Sequence, residues 1–137
     1  MSRKFILSIA FVFSAMISFA QKGEVWPTLT RQEFEFNSAG EITGQGEVGT
    51  YYSYYLFINN NEFIHCTETI TSLYKVISRD EKEEFTDYTV VSEVGNTYTF
   101  RFGYKENYVA IYSDKGYGFY ISTATPYATK VFDNINR

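Results

Sequence analysis

The only histidine and the only cysteine of the chain, His65 and Cys66, are neighbours in the sequence. Imidazole and thiol can form a nucleophilic pair, provided that they lie within hydrogen-bonding distance of each other. The residues around them predict a β-strand, on which adjacent side chains point to opposite faces. The spacing therefore argues against a catalytic pair. One His and one Cys are also too few for a zinc finger or a multi-cysteine metal cluster.

Carboxylates are the other groups that could do chemistry. Five of them crowd into residues 80–87, but a calcium loop needs acidic residues at alternate positions around a glycine, and this run lacks that pattern. We interpret the run as a solvated hairpin tip. A glycosidase would need two carboxylates on facing strands. The remaining candidates for such a pair, none selected by its spacing, are Glu33, Glu35, Glu47, Glu68 and Glu93.

No phosphate-binding glycine loop, nucleophile elbow or zinc motif is present in the sequence. We therefore predict no catalytic residue, no metal site and no cofactor. A hydrolase with an unrecognised carboxylate pair is kept as a minor alternative.

The elements that would position any site are β-strands. In residues 21–137, Val, Ile, Thr, Tyr, Phe and Trp supply 53 of 117 positions, whereas Leu supplies 3 and Ala 4. Residues that favour sheets dominate, and the best helix formers are scarce. We predict an all-β domain built as an antiparallel meander of about eight strands, closed into a small up-and-down barrel or packed as a sandwich. The predicted strands cover residues 26–36, 51–58, 62–78 (two strands with a bend), 85–94, 97–104, 108–113 and 117–123, and residues 40–49 are predicted to be a loop.

Turn lengths fix the register of the last three strands. The turn at Lys105-Glu106 places Phe100 opposite Ile111, and the turn that ends at Gly116 places Ile111 opposite Phe119. The two registers agree on one apolar face, predicted to be the core: Tyr98, Phe100, Phe102, Val109, Ile111, Tyr117, Phe119 and Ile121. Because these positions are large aromatic and aliphatic side chains, we expect a filled interior. The Gly95-Asn96 turn leaves two registers open, with either Glu93 or Val94 opposite Tyr98.

The opposite face of the same strands carries the candidate binding residues, which are Arg101, Tyr108, Tyr112 and Tyr120. The register places Tyr112 opposite Gly118, and Tyr120 opposite Ala110, so large rings face small residues and have room to lie flat. A flat aromatic surface beside a guanidinium can stack on a sugar ring or anchor a protein partner. The alternative is that these tyrosines only stabilise cross-strand pairs.

Residues 1–20 have the three-part layout of a signal peptide: Arg3 and Lys4, then an apolar run, then small residues up to Ala20. The run is too short for a membrane span, so we expect cleavage after Ala20, no stable membrane anchor, and a secreted or periplasmic domain of residues 21–137. The sequence at the predicted cleavage point, Phe19-Ala20-Gln21, resembles that of small exported proteins of Bacteroidetes-type bacteria. Without the two basic residues, 10 basic and 16 acidic groups remain. This balance argues against nucleic-acid binding.

The predicted signal peptide and the number of strands resemble those of lipocalins and other calycins, which are small secreted barrels that hold apolar ligands. Those proteins begin their first strand with Gly-x-Trp, and the nearest match here, Gly23-Glu24-Val25-Trp26, has one residue more. The sequence thus supports two functions. One is an interaction module that binds a protein or a glycan through its outer surface. The other, which the resemblance implies, is a carrier of a small apolar ligand.

Overall fold

The computed structural model describes residues 22–129, and the predicted signal peptide lies outside this range. Within it the chain is all β, and no helix is long and apolar enough to cross a bilayer. The strands are β1 (Glu24–Phe36), β2 (Ile42–Gln45), β3 (Gly49–Thr50), β4 (Tyr54–Asn59), β5 (Glu62–Cys66), β6 (Thr71–Glu81), β7 (Phe85–Ser92), β8 (Thr97–Gly103), β9 (Tyr108–Ser113), β10 (Tyr117–Thr123) and β11 (Tyr127–Ala128).

Eight of these strands close into an antiparallel barrel. Consecutive strands from β4 to β10 are paired with each other. Strand β1 closes the barrel by pairing with both β4 and β10. The short strands β2 and β3 run beside the second half of β1, and β11 pairs with its first residues. Of the two predicted architectures, the barrel is confirmed. Closure leaves these eight strands without a free edge.

The registers predicted for the last three strands are confirmed. Phe100 pairs with Ile111, and Ile111 pairs with Phe119. Gly116 has the predicted left-handed conformation, with φ of 88°. These hairpins were predictable because a turn of known length fixes which residues of its two strands lie opposite each other.

Two local predictions are wrong. The predicted loop at residues 40–49 contains β2 and the first residue of β3, because this glycine-rich stretch continues to pair with β1. Both registers considered for the Gly95-Asn96 turn are wrong. Its three-residue turn ends at Gly95, which has φ of 88°, and Val90 rather than Glu93 or Val94 pairs with Tyr98.

The interior of the barrel is filled in its middle by side chains that point inward from the strands, as the sequence predicted. Phe100 lies 5.1 Å from Phe63 and 5.9 Å from Tyr55 between ring centroids, both edge to face. Ile111 and Phe119 belong to the same face but are only half-buried, because they lie nearer to one end. The fully buried cluster is Trp26, Tyr55, Phe57, Phe63, Tyr88, Val90, Phe100, Phe102, Val109 and Ile121.

The two ends of the barrel differ. At one end, Trp26 donates a hydrogen bond from Nε1 to Glu24 (2.8 Å) and packs against Tyr104 (5.5 Å between ring centroids). Burial raises the pKa of Glu24 there, and the hydrogen bond from Trp26 partly offsets this. At the other end, called here the tyrosine end, the inward-facing residues are half-buried or exposed. They include Arg31, Glu33, Glu35, Tyr51, Tyr74, Tyr98, Tyr117 and Phe119.

Candidate functional site on the outer wall

All four predicted site residues lie on the outer face of three consecutive strands. Arg101 of β8 pairs with Ala110 of β9, and Ala110 pairs with Tyr120 of β10. Tyr108 and Tyr112 flank Ala110 on the same face of β9. The tyrosines are accessible: Tyr112 and Tyr120 expose 37% and 41% of their surface, and Tyr108 is half-buried.

Tyr108 is held against the backbone of the neighbouring strand. Its ring occupies the space over Gly103, where a Cβ atom would overlap ring carbons. Tyr120 stacks on the Tyr108 ring, with centroids 5.2 Å apart and planes inclined by 16°. Burial raises the pKa of both phenols, so both are neutral hydrogen-bonding groups at pH 7. Sequence reasoning did not single out Gly103, although the confirmed register places it opposite Tyr108.

A second ring arrangement differs from the prediction. The space over Gly118, expected to accommodate Tyr112, is shared by the carbonyl oxygen of Ile111 and the ring of Phe36, which would lie 2.5 and 2.9 Å from a Cβ atom on Gly118. Phe36 in turn packs beside Tyr112, with centroids 6.0 Å apart. Phe36 reaches this position because β1 pairs with β10, which brings Phe34 opposite Gly118.

Arg101 takes part in an ion pair that the sequence did not predict. Its Nε and Nη2 donate to the two carboxylate oxygens of Asp87, at 2.8 and 3.0 Å. The guanidinium also lies 3.8 Å from the ring centroid of Phe85 and 5.9 Å from that of Tyr112. The hydrogen bonds to Asp87 raise the pKa of Arg101, against the opposing effect of burial. Asp87 therefore belongs to the outer wall rather than to the solvated hairpin tip.

These residues form one continuous surface, called here the aromatic wall and defined by Phe34, Phe36, Tyr108, Tyr112 and Tyr120. A shallow groove of about 170 Å³ runs along it, between Phe34, Phe36 and Ile42 on one side and Tyr112 and Tyr120 on the other. The predicted residues Tyr108, Tyr112 and Tyr120 cover the β9–β10 half of this surface. The prediction missed the β1 half, whose only signal is the alternation of Phe34 and Phe36 with glutamates.

Replacing Gly103 with Ala is expected to force the Tyr108 ring off the strand. Overpacking of this kind costs about 1–3 kcal/mol, so the free energy of unfolding in urea should fall by that amount. Gly49→Ala is the matched control, because a Cβ atom there has no atom within 4 Å, and a change below about 0.5 kcal/mol is expected for it. Equal stability of the two variants would mean that Tyr108 does not lie over Gly103.

The side chains of His65 and Cys66 do not contact each other. His65 points into the barrel, stacked on Tyr55 at 4.3 Å between ring centroids. Its Nε2 lies 3.1 Å from the hydroxyl of Tyr51 and 3.0 Å from Oγ of Ser53. Burial, together with Arg31, lowers the pKa of His65 to about 4. Cys66 is buried, and its Sγ accepts a hydrogen bond from Thr71 (3.7 Å).

Two acidic side chains of the hairpin tip form exposed ion pairs. Lys82 lies 3.5 Å from Asp80, and Lys105 lies 2.9 Å from Glu84. Among residues 22–129, no three His, Cys, Asp or Glu side chains are grouped so as to hold a metal ion.

Comparisons with protein-family models, with curated proteins and with solved structures find no match for this chain. The likeness to lipocalins is therefore confined to architecture: an eight-stranded antiparallel barrel.

Proposed function

We propose that the chain is a secreted, non-enzymatic binding module that recognises a glycan through the aromatic wall. The observation that carries this proposal is the seating of accessible rings on glycine backbone, Tyr108 over Gly103 and Phe36 over Gly118. Rings held in this way bind with little loss of side-chain freedom. Rigid aromatic side chains are efficient contact groups for that reason.

The chemistry of the wall suits a sugar ring. Aromatic rings offer flat apolar surface for the C–H face of a sugar, and tyrosine adds a polar group at the ring edge. The ion pair of Arg101 and Asp87 borders the rings and offers both donors and acceptors to hydroxyl groups. Because the two charges of this pair neutralise each other, the wall is better suited to a neutral ligand than to an anion.

The test replaces Tyr108, Tyr112 and Tyr120 together with Ser. Binding should be screened first on a glycan array and then measured by calorimetry with a neutral oligosaccharide that scores there. If each ring contributes about 1 kcal/mol, affinity should fall roughly 100-fold. The control replaces Tyr52, Tyr54 and Tyr127, which are also exposed but lie near β4 and β11, and it should bind like the unmodified protein.

Two outcomes would contradict the proposal. One is equal loss of affinity in the two triple variants. The other is an array that shows no glycan binding while a protein partner is captured and released by the Tyr108, Tyr112 and Tyr120 substitutions. In the second case the aromatic wall would be a protein-binding surface, which its Tyr and Arg content also permits.

A further inference from the structure

The tyrosine end contains an arginine that has no salt bridge to a carboxylate among the described residues. Arg31 lies on the inward face of β1, opposite Ile121. Its guanidinium carbon lies 4.5 Å from the ring centroid of Tyr51 and 5.0 Å from that of Phe119. In the described part of the chain, no carboxylate lies within 4.0 Å of this guanidinium, unlike that of Arg101. Arg31 is thus exposed, placed on two aromatic rings, and without an ion-pair partner.

A second polar group at this end is unsatisfied. The hydroxyl of Tyr55 is completely buried and has no hydrogen-bond partner in the structure. The Tyr55 ring stacks on His65, with centroids 4.3 Å apart, and Nε2 of His65 lies 3.1 Å from the hydroxyl of Tyr51. Tyr55 therefore lies beside the tyrosine end. Burial, together with Tyr51 and Tyr74, raises the pKa of Tyr55, and Arg31 opposes this. A buried donor without a partner is costly, which makes it a natural contact for a ligand that enters there.

The charge of the tyrosine end limits what can bind. His65 is neutral at pH 7, because its pKa lies near 4. Arg31 is the positive charge on the inward face of β1. Glu33 and Glu35 follow it on the same face. A ligand with two or more negative charges would be repelled by these carboxylates. One carboxylate, carried on an apolar body, fits the guanidinium, the free hydroxyl and the aromatic rings.

We propose that the tyrosine end is a second binding site, which takes a small monocarboxylate with an apolar body. The carboxylate accepts hydrogen bonds from Arg31 and from the hydroxyl of Tyr55, and the apolar body lies against Phe119 and Tyr51. This site lies on the inner face of the barrel, whereas the aromatic wall lies on the outer face. The two sites therefore use opposite faces of the sheet.

The experiment measures binding of octanoate and of 1-octanol at pH 7.4, by calorimetry and by NMR. The unmodified protein should bind octanoate at least tenfold more tightly than octanol. Tyr55→Phe keeps the ring and removes only the unsatisfied hydroxyl, so it should fold and should bind octanoate about tenfold more weakly. Arg31→Gln should bind the acid and the alcohol equally. Tyr104→Phe, the matched change at the opposite end, should leave binding of octanoate unchanged.

The proposal is overturned if octanoate and octanol bind equally to the unmodified protein, or if neither binds at millimolar concentration. It is also overturned if Tyr55→Phe binds octanoate normally, since the hydroxyl would then donate no hydrogen bond to the carboxylate. The triple variant of Tyr108, Tyr112 and Tyr120 should bind octanoate normally. Failure of one site is thereby distinguished from failure of the other.

Discussion

Replacing Phe100 with Ala is expected to lower the free energy of unfolding by about 3–5 kcal/mol, the range for removal of a buried aromatic ring. Phe100 is 1% exposed and lies in the middle of the filled interior. Its ring contacts Phe63 and Tyr74, with centroids 5.1 and 4.9 Å apart. The truncation leaves a cavity that surrounding strands cannot close, because each is hydrogen-bonded on both sides.

Urea unfolding followed by fluorescence and circular dichroism measures this loss. Ile77→Ala is the control, since Ile77 is 63% exposed on β6, and a change within about 0.5 kcal/mol is expected for it. A loss below about 1 kcal/mol for Phe100→Ala would show that its face of the sheet is not the core.

Acid is expected to weaken the fold through His65. The pKa of His65 in the folded protein is about 4, below its ordinary value of 6.5. Between these two pH values the unfolded chain takes up a proton that the folded protein does not bind, so stability falls as the pH falls. Above pH 6.5 the contribution is fully present. Linkage gives a loss of about 2 kcal/mol between pH 7 and pH 5, and about 2–3 kcal/mol by pH 4.

The measurement is urea unfolding at pH 7, 6 and 5, for the unmodified protein and for His65→Gln. The variant has no group that titrates at this position, so its stability should change much less over the same range. Glu24, whose pKa is raised by burial, is present in both proteins, and its effect cancels in the comparison. The same pH dependence in both proteins would mean that folding does not lower the pKa of His65.

Strand registers could be predicted from the sequence only where the paired strands are close together along the chain. The β8–β9 and β9–β10 registers depend on turns of a few residues, and both were predicted correctly together with the outward position of Arg101. The register of the β7–β8 hairpin was predicted wrongly because its three-residue turn ends at Gly95, whereas both predicted turns began at Gly95. The amide of Asn96 also donates a hydrogen bond to the hydroxyl of Ser92, which stabilises the observed turn.

The part of the site that was missed depends on pairing between distant segments. Phe36 reaches Gly118 only because β1 pairs with β10, and no local pattern specifies which strand closes a barrel. The partner of Arg101 was missed for a related reason. Asp87 appeared to belong to a run of acidic residues, and only the β7–β8 register places it opposite Arg101.

The closure of the barrel by β1 and β10 has a consequence for folding kinetics. The hydroxyls of Thr30 and Ser122 are hydrogen-bonded across this seam although they lie 92 positions apart in sequence. Every other neighbouring pair of barrel strands from β4 onwards is joined by a short connection, so the hairpins can form early and in any order. The seam can form only when the first and last strands meet, at the full entropic cost of closing the chain. Until then two unpaired strand edges are exposed, and each is a template for the complementary strand of another molecule.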